Sequence, residues 1–167
     1  MANWCEIRMR IAGRTAEGIE NFVEDIRRHG KFRAYNGVFT EDEPYNPDKL
    51  QKVGQAYCYD AAFGCKWSFV SSFEEDGVGR LFGSGPNFDL YLHDYCAKHG
   101  VGVEAYSEEP GNGFEEHYVI SPNGDIAVAD VSDMKEVEDE TTESGWRKLG
   151  GFGDPAFMDP EDIINII

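Results

Sequence analysis

Basic residues are scarce: 15 Lys and Arg stand against 32 Asp and Glu in 167 residues, a formal charge of -17. Neutralising a phosphate backbone needs Lys and Arg, so direct binding of DNA or RNA is excluded as a main activity. Long apolar runs are missing too. No stretch approaches the roughly 18 consecutive apolar residues of a membrane-spanning helix, and MANWCEIRMRIAG at the start has no basic segment followed by an apolar one. The reading is a soluble, cytoplasmic protein without membrane contact. Cysteines are few and dispersed: Cys5, Cys58, Cys65 and Cys96 form no C-x2-C pair. That pattern disfavours a zinc ribbon or a disulfide scaffold and suits reduced, core-type thiols. The glycine-rich run GVGRLFGSGPN, Gly77 to Asn87, lacks the spacing and the following Lys of a phosphate loop. Glu74, Glu75 and Asp76 stand just before it and would repel an anion, so it reads as a connection.

A core is present in the composition: 41% of residues are hydrophobic and 13% aromatic, which excludes a wholly disordered chain. The charge is uneven. Residues 1–36 hold seven basic and five acidic residues, leaving eight basic and 27 acidic, a balance of -19, from Gly37 onward. Such asymmetry marks an interaction surface as well as serving solubility.

Trp4 to Ile11 alternates, with Cys5, Ile7, Met9 and Ile11 on one face and Glu6, Arg8 and Arg10 on the other, which predicts a half-buried strand. Thr15 is placed to cap a helix whose Ile19, Phe22, Val23 and Ile26 make one apolar stripe, closed by His29-Gly30. A second strand is expected over Lys31 to Thr40, broken or bent at Asn36-Gly37, which reads equally as a hairpin turn. Residues 41–64, with Pro44, Pro47 and Gly54, read as an insertion carrying one short helix near Asp48 to Gln55. A third strand is expected over Trp67 to Phe73, its aromatics reading as core rather than as a nucleic-acid platform. A second helix follows from Pro86-Asn87, with Phe88, Tyr91, Leu92, Tyr95, Cys96 and His99 on one stripe and Gly100 after it. Strands at Val101 to Ala105, Phe114 to Ser121 and Ile126 to Val131 complete the body, the last two joined at Pro122-Asn123-Gly124. The order β-α-β, β-α-β predicts an α+β, ferredoxin-like split β-α-β sandwich over residues 1–131, with an extra hairpin. Residues 132–167 read as an acidic C-terminal extension: Asp133 to Glu143 holds six acids and one base, and the apolar ending DPEDIINII is suited to dock on the body or on a second chain.

The densest run of carboxylates is YSEEPGNGFEEHYVISPNG, Tyr106 to Gly124, where Glu108-Glu109 and Glu115-Glu116 flank a Pro-Gly-Asn-Gly turn. Folding the turn is expected to gather four negative charges. Like charges opposed across strands cost about 0.2–1 kcal/mol per pair, so water, a basic partner or a cation should offset them. The spacing is not that of a calcium loop, and Glu115-Glu116-His117 lies on an expected strand rather than on a zinc-binding helix. No metal or cofactor is expected.

MANWCE at the start, GCKW at Gly64 to Trp67, and AYSEEPGNGFEEHY with the following NG at Ala105 to Gly124 occur in this order. In these pieces the chain resembles the YubB or Api-like ferredoxin-like family of phage and plasmid proteins. The resemblance implies a ferredoxin-like fold and an origin on a mobile element, and carries no catalytic residues with it. Together with the charge it leads to an expected function. The chain would bind a host protein that has a basic surface, such as a nucleic-acid-handling defence complex (CRISPR or restriction), as an inhibitor that mimics nucleic acid. Glu74, Glu75, Asp76, Glu108, Glu109, Glu115 and Glu116 form the candidate acidic surface. Two other classes stay open: a small metal-dependent or acid/base enzyme using Glu108, Glu109, Glu115 and Glu116, and an assembly protein whose tail joins subunits into a homo-oligomer.

Overall fold

The computed structural model describes residues 4–29, 37–40, 43–66, 90–109, 113–133, 135–136, 146–147 and 156–166. The fold is α+β: six strands form one open, fully antiparallel sheet in the order β2-β3-β1-β4-β5-β6. The strands are β1 (Trp4–Gly13), β2 (Gln51–Val53), β3 (Ala56–Lys66), β4 (Val101–Glu109), β5 (Phe114–Ile120) and β6 (Ile126–Asp133), and a separate two-residue pair joins β7 (Lys135–Glu136) to β8 (Trp146–Arg147). The helices are α1 (Ala16–His29), α2 (Leu92–His99) and α3 (Pro160–Ile164).

Strand β1 is central because its alternation serves both sides. Cys5, Ile7, Met9 and Ile11 are buried in one cluster with Ile19, Phe22, Val23 and Ile26 of α1, Leu92, Tyr95 and Cys96 of α2, and Val101, Val103 and Ala105 of β4. Each fully buried side chain of this size contributes about 1.5–3 kcal/mol of transfer free energy, so this layer dominates stability. The start of α1 follows the expected cap, Thr15 Oγ1 accepting from the Gly18 amide at 3.0 Å. Gly100 closes α2 in the left-handed conformation, φ +65°, which glycine adopts without steric cost. The two helices are joined at their ends: Asp25 Oδ2 lies 2.7 Å from His99 Nε2 and 2.8 Å from Lys98 Nζ.

Several expectations are corrected. Residues 41–64 do not read out as an insertion, because they supply β2 and most of β3, and β3 lies between β2 and β1. The reason is a period of two that the prolines obscure: Tyr59 and Phe63 are buried in the core, with Tyr57 and Ala61 packed against it. The helix expected near Asp48 to Gln55 is one turn, Pro47–Lys49, capped by Asn46, and the chain then enters β2. Of the strand expected at Lys31 to Thr40, the described part is a turn in which the Thr40 amide donates to the Gly37 carbonyl at 3.0 Å. The strand expected at Trp67 to Phe73 and the glycine-rich run lie outside the described residues, as do Pro86 to Phe88; the helix expected to start there begins at Leu92, with Tyr91 its extended N-cap residue rather than part of the stripe. Strands β4, β5 and β6 occupy the expected stretches: β4 runs four residues further, to Glu109, β6 two further, to Asp133, and β5 ends one residue earlier, at Ile120. The β5–β6 turn is tied by Ser121 Oγ, which accepts from the amides of Asn123 and Asp125 at 3.2 and 3.1 Å.

The C-terminal ending docks on the body. Ile163 and Ile164 are buried with Ala12 of β1 and Ala56 of β3. No helix among the described residues is long and apolar enough to cross a membrane.

Candidate functional site: the open face of the sheet

Alternation places Glu6, Arg8, Arg10 and Ala12 on the face of β1 turned away from α1 and α2. Cross-strand partners share a face, so the register carries this polar face across the sheet. Arg10 is opposite Asp60 of β3 and Glu104 of β4, Arg8 is opposite Tyr106, and Tyr106 is opposite His117 of β5, which in turn faces Asp130 of β6. A polar face is ordinary where an antiparallel sheet meets water, but Glu104 on this face is buried, and a buried charge marks a place to look for function.

At its middle the groups pair with one another. Arg10 binds Asp60 through two parallel hydrogen bonds of 2.8 and 2.9 Å, and this bond to Asp60 raises the guanidinium above its usual value. Glu104, only 1% exposed, has His117 Nε2 2.9 Å from its Oε2. The His117 ring stacks on Tyr106 with centroids 4.2 Å apart and planes 9° from parallel. Burial first, and then the Glu104 carboxylate, push the Tyr106 phenol above its usual value.

Over this middle runs the segment Ala156 to Met158. Glu104 Oε1 accepts from the Met158 amide at 2.7 Å, and Arg10 Nη1 donates to the Met158 carbonyl at 3.1 Å. Phe157 lies against both neighbours, its centroid 5.1 Å from the Arg10 guanidinium carbon and 5.6 Å from the Tyr106 ring. Tyr106 Oη reaches the Ala156 carbonyl at 3.4 Å. Beyond it, α3 sits where the face is made of small residues. A Cβ on Gly102 would come within 2.6 Å of Ile163 Cγ2, so only glycine leaves room. Glu161 then fixes the helix to the β2–β3 turn by accepting from the Gln55 amide at 2.6 Å.

At the other end of the same face lies a row of carboxylates. Glu6 of β1 is directly opposite Glu108 of β4, and Glu108 is opposite Glu115 of β5. Glu115 is 7% exposed, and its Oε2 is buried with no hydrogen-bond partner. Burial raises its pKa above the usual carboxylate value, with a hydrogen bond from Ser132 pulling the other way.

The expected four-carboxylate cluster is therefore split. Adjacent residues on a strand point to opposite faces, so Glu108 and Glu115 belong to the open face while Glu109 and Glu116 point to the helix side, each 1% exposed. Glu116 there accepts from Ser107 Oγ at 2.7 Å and Tyr118 Oη at 2.8 Å, a buried carboxylate satisfied by hydroxyls. Neither Glu109 nor Glu116 can meet a partner at the surface, and an acid/base reading contracts to Glu108 and Glu115. Glu74, Glu75 and Asp76 lie outside the described residues. Among the described residues no three His, Cys, Asp or Glu side chains converge as metal ligands. Cys58 and Cys96 are buried free thiols whose pKa values burial pushes up, the reverse of what a nucleophilic thiolate requires.

Glu104, Asp60 and Phe157 are not singled out by the sequence, Arg10 is placed only on the polar face of the first strand, and His117 is weighed only as a zinc ligand. Glu104 carried the only local signal, an acid between the strand-forming valines and Tyr106 at a position opposite in parity to Val103 and Ala105.

Fold and site together define an α+β domain with one helix-covered apolar face and one polar face partly covered by its own C-terminal segment. No family model, curated protein or solved structure matches the chain.

Proposed function

We propose that this chain is a ferredoxin-like, protein-binding accessory domain of a mobile element that engages a host protein through a basic surface on that partner. In favour of the fold assignment, β2-β3-β1-β4 is the strand order of two interlocked β-α-β units, with α1 following β1 and α2 preceding β4. Strands β5 and β6 then extend the sheet beyond β4.

The observation that carries the partner assignment is the opposed pair Glu6 and Glu108 at one end of the open face, with Glu115 buried behind it. Opposed like charges cost about 0.2–1 kcal/mol per pair, and a Lys- or Arg-lined surface removes that cost. The exposed edge strand β6 adds Asp130 beside Val131, 59% exposed, and Ile126, 44% exposed. Acid with apolar side chains along a sheet edge suits a basic partner that also offers apolar contact. With a charge of -17, a nucleic-acid-handling defence complex fits as partner, carboxylates standing where phosphates would lie.

Affinity capture from host lysate at about 50 and 500 mM salt tests the proposal. A partner retained at low salt and released at high salt is expected, and Glu6→Lys with Asp130→Lys should abolish its retention. A partner bound equally at both salts, or retained by the double variant, would remove the acidic reading.

A further inference from the structure

We propose that the open face of the sheet is a peptide-binding site, and that residues 156–164 occupy it in cis as a displaceable ligand. The occupant it fits is a protein segment of the same build: an aromatic residue, then an apolar one, then a short helix opened by Asp-Pro and carrying adjacent isoleucines. This inference stands apart from the acidic row, which lies at the other end of the face.

Three observations carry it. The main chain of Met158 is read from both sides, its amide by Glu104 Oε1 at 2.7 Å and its carbonyl by Arg10 Nη1 at 3.1 Å. Recognition of this kind captures a peptide backbone without regard to side chain, and pockets then select the residues. Selection has two elements: Phe157 against Arg10 and Tyr106, and Ile163 over Gly102, where no larger residue fits.

The second observation concerns what remains when the segment leaves. Each charged group that holds Met158 keeps another partner: Arg10 stays bidentate to Asp60 and Glu104 stays beside His117. A buried charge stripped of its only partner would oppose release, but here neither charge is left alone, and what release gives up is the two main-chain contacts, the Glu161 bond to the Gln55 amide and the burial of Ile163 and Ile164. A face arranged in this way supports both an occupied and an empty state.

The third is covalent layout. The segment is separated from the end of β6 by residues 134–155. Its own attachment supplies a high local concentration, so a competing segment must be abundant or better matched, or the tether's hold must be weakened.

The test uses the full chain and, as probe, a fluorescein-labelled synthetic peptide of residues 156–166, AFMDPEDIINI. Phe157→Ala with Ile163→Ala in the chain weakens the resident segment and leaves the seat intact. Fluorescence anisotropy should give an apparent Kd for the peptide at least tenfold lower for this loosened chain than for the unaltered one. Adding Gly102→Leu, which fills the seat, should erase the gain. Equal binding by unaltered and loosened chains, no binding by a loosened chain that keeps its circular dichroism, or undiminished binding with Gly102→Leu would each overturn the proposal. If the loosened chain does not fold, the unaltered, 15N-labelled chain is titrated with unlabelled peptide at millimolar concentration. The Met158 amide signal should move toward its unbound position while the Val103 signal stays in place, and a Met158 signal indifferent to peptide would contradict the proposal.

Discussion

The two faces of the sheet are held by different physics. On the helix side, Ile7, Met9, Ile11, Val101 and Val103 meet Ile19, Phe22, Ile26 and Leu92 in one apolar cluster, where attraction is non-directional and opening exposes the whole layer to water. On the opposite side, Arg10 and Glu104, themselves paired with Asp60 and His117, hold Met158 by directed hydrogen bonds, and Ile163 and Ile164 add a small apolar cluster with Ala12 and Ala56. The difference predicts which face can be uncovered: the first only with global unfolding, the second in its own step.

Phe22→Ala should produce the largest effect, since it empties a fully buried site between helix and sheet. A loss of about 3–5 kcal/mol is expected, read as a lowered urea midpoint with the whole fold affected. A loss below 1 kcal/mol would mean that the helix-side layer does not dominate stability. Glu104→Ala comes next. It leaves the Met158 amide and His117 without their acceptor, a cost of about 1–3 kcal/mol. Deuterium uptake should rise across residues 156–166 and stay unchanged in α1, whereas uniform uptake would erase the distinction between the faces.

Glu116→Gln probes a buried polar patch on the helix side. The amide retains an acceptor but turns its NH2 toward a hydroxyl of Ser107 or Tyr118, which should lower stability by about 1 kcal/mol. Thermal unfolding of the variant checks this, and an unchanged midpoint would show that the ionised carboxylate is not what Ser107 and Tyr118 require.

Glu115→Gln should have the smallest effect and the opposite sign. Its folded pKa is raised by burial, so the fold disfavours the charged form. The native state loses stability as pH rises through the folded pKa and regains it fully below the unfolded value of about 4.3. Glutamine should therefore stabilise by about 0.2–1 kcal/mol at neutral pH, with the advantage fading on acidification. Urea midpoints at neutral pH and near pH 4 decide it; an advantage that grows in acid is incompatible with this cause.

Much of the fold was legible where periodicity is clean. The alternation of Cys5 to Ile11, the Ile19 to Ile26 stripe with its Thr15 cap, and the strands after Gly100 all follow local rules. Strand β3 was not, because Pro44, Pro47 and Gly54 precede it, and Ala61, Ala62 and Gly64 dilute its alternation; its place comes from long-range pairing with β1. The site was less legible still. The strand assignment of Glu108-Glu109 and Glu115-Glu116 already implied opposite faces, a consequence outweighed by the proximity of four acids. The contacts of Arg10 with Asp60 and of Glu104 with Met158 span 50 and 54 residues, and no local pattern encodes such register.

Native-state hydrogen exchange across a urea series tests the central claim, that the two faces open separately, most directly. The Met158 amide, bound to Glu104, should exchange through an opening of low urea dependence and low free energy, while the amides of Ile11 and Val103 exchange only with global unfolding. If the Met158 amide exchanged with the same free energy and urea dependence as Ile11 and Val103, the two faces would form one cooperative unit and the account would be contradicted.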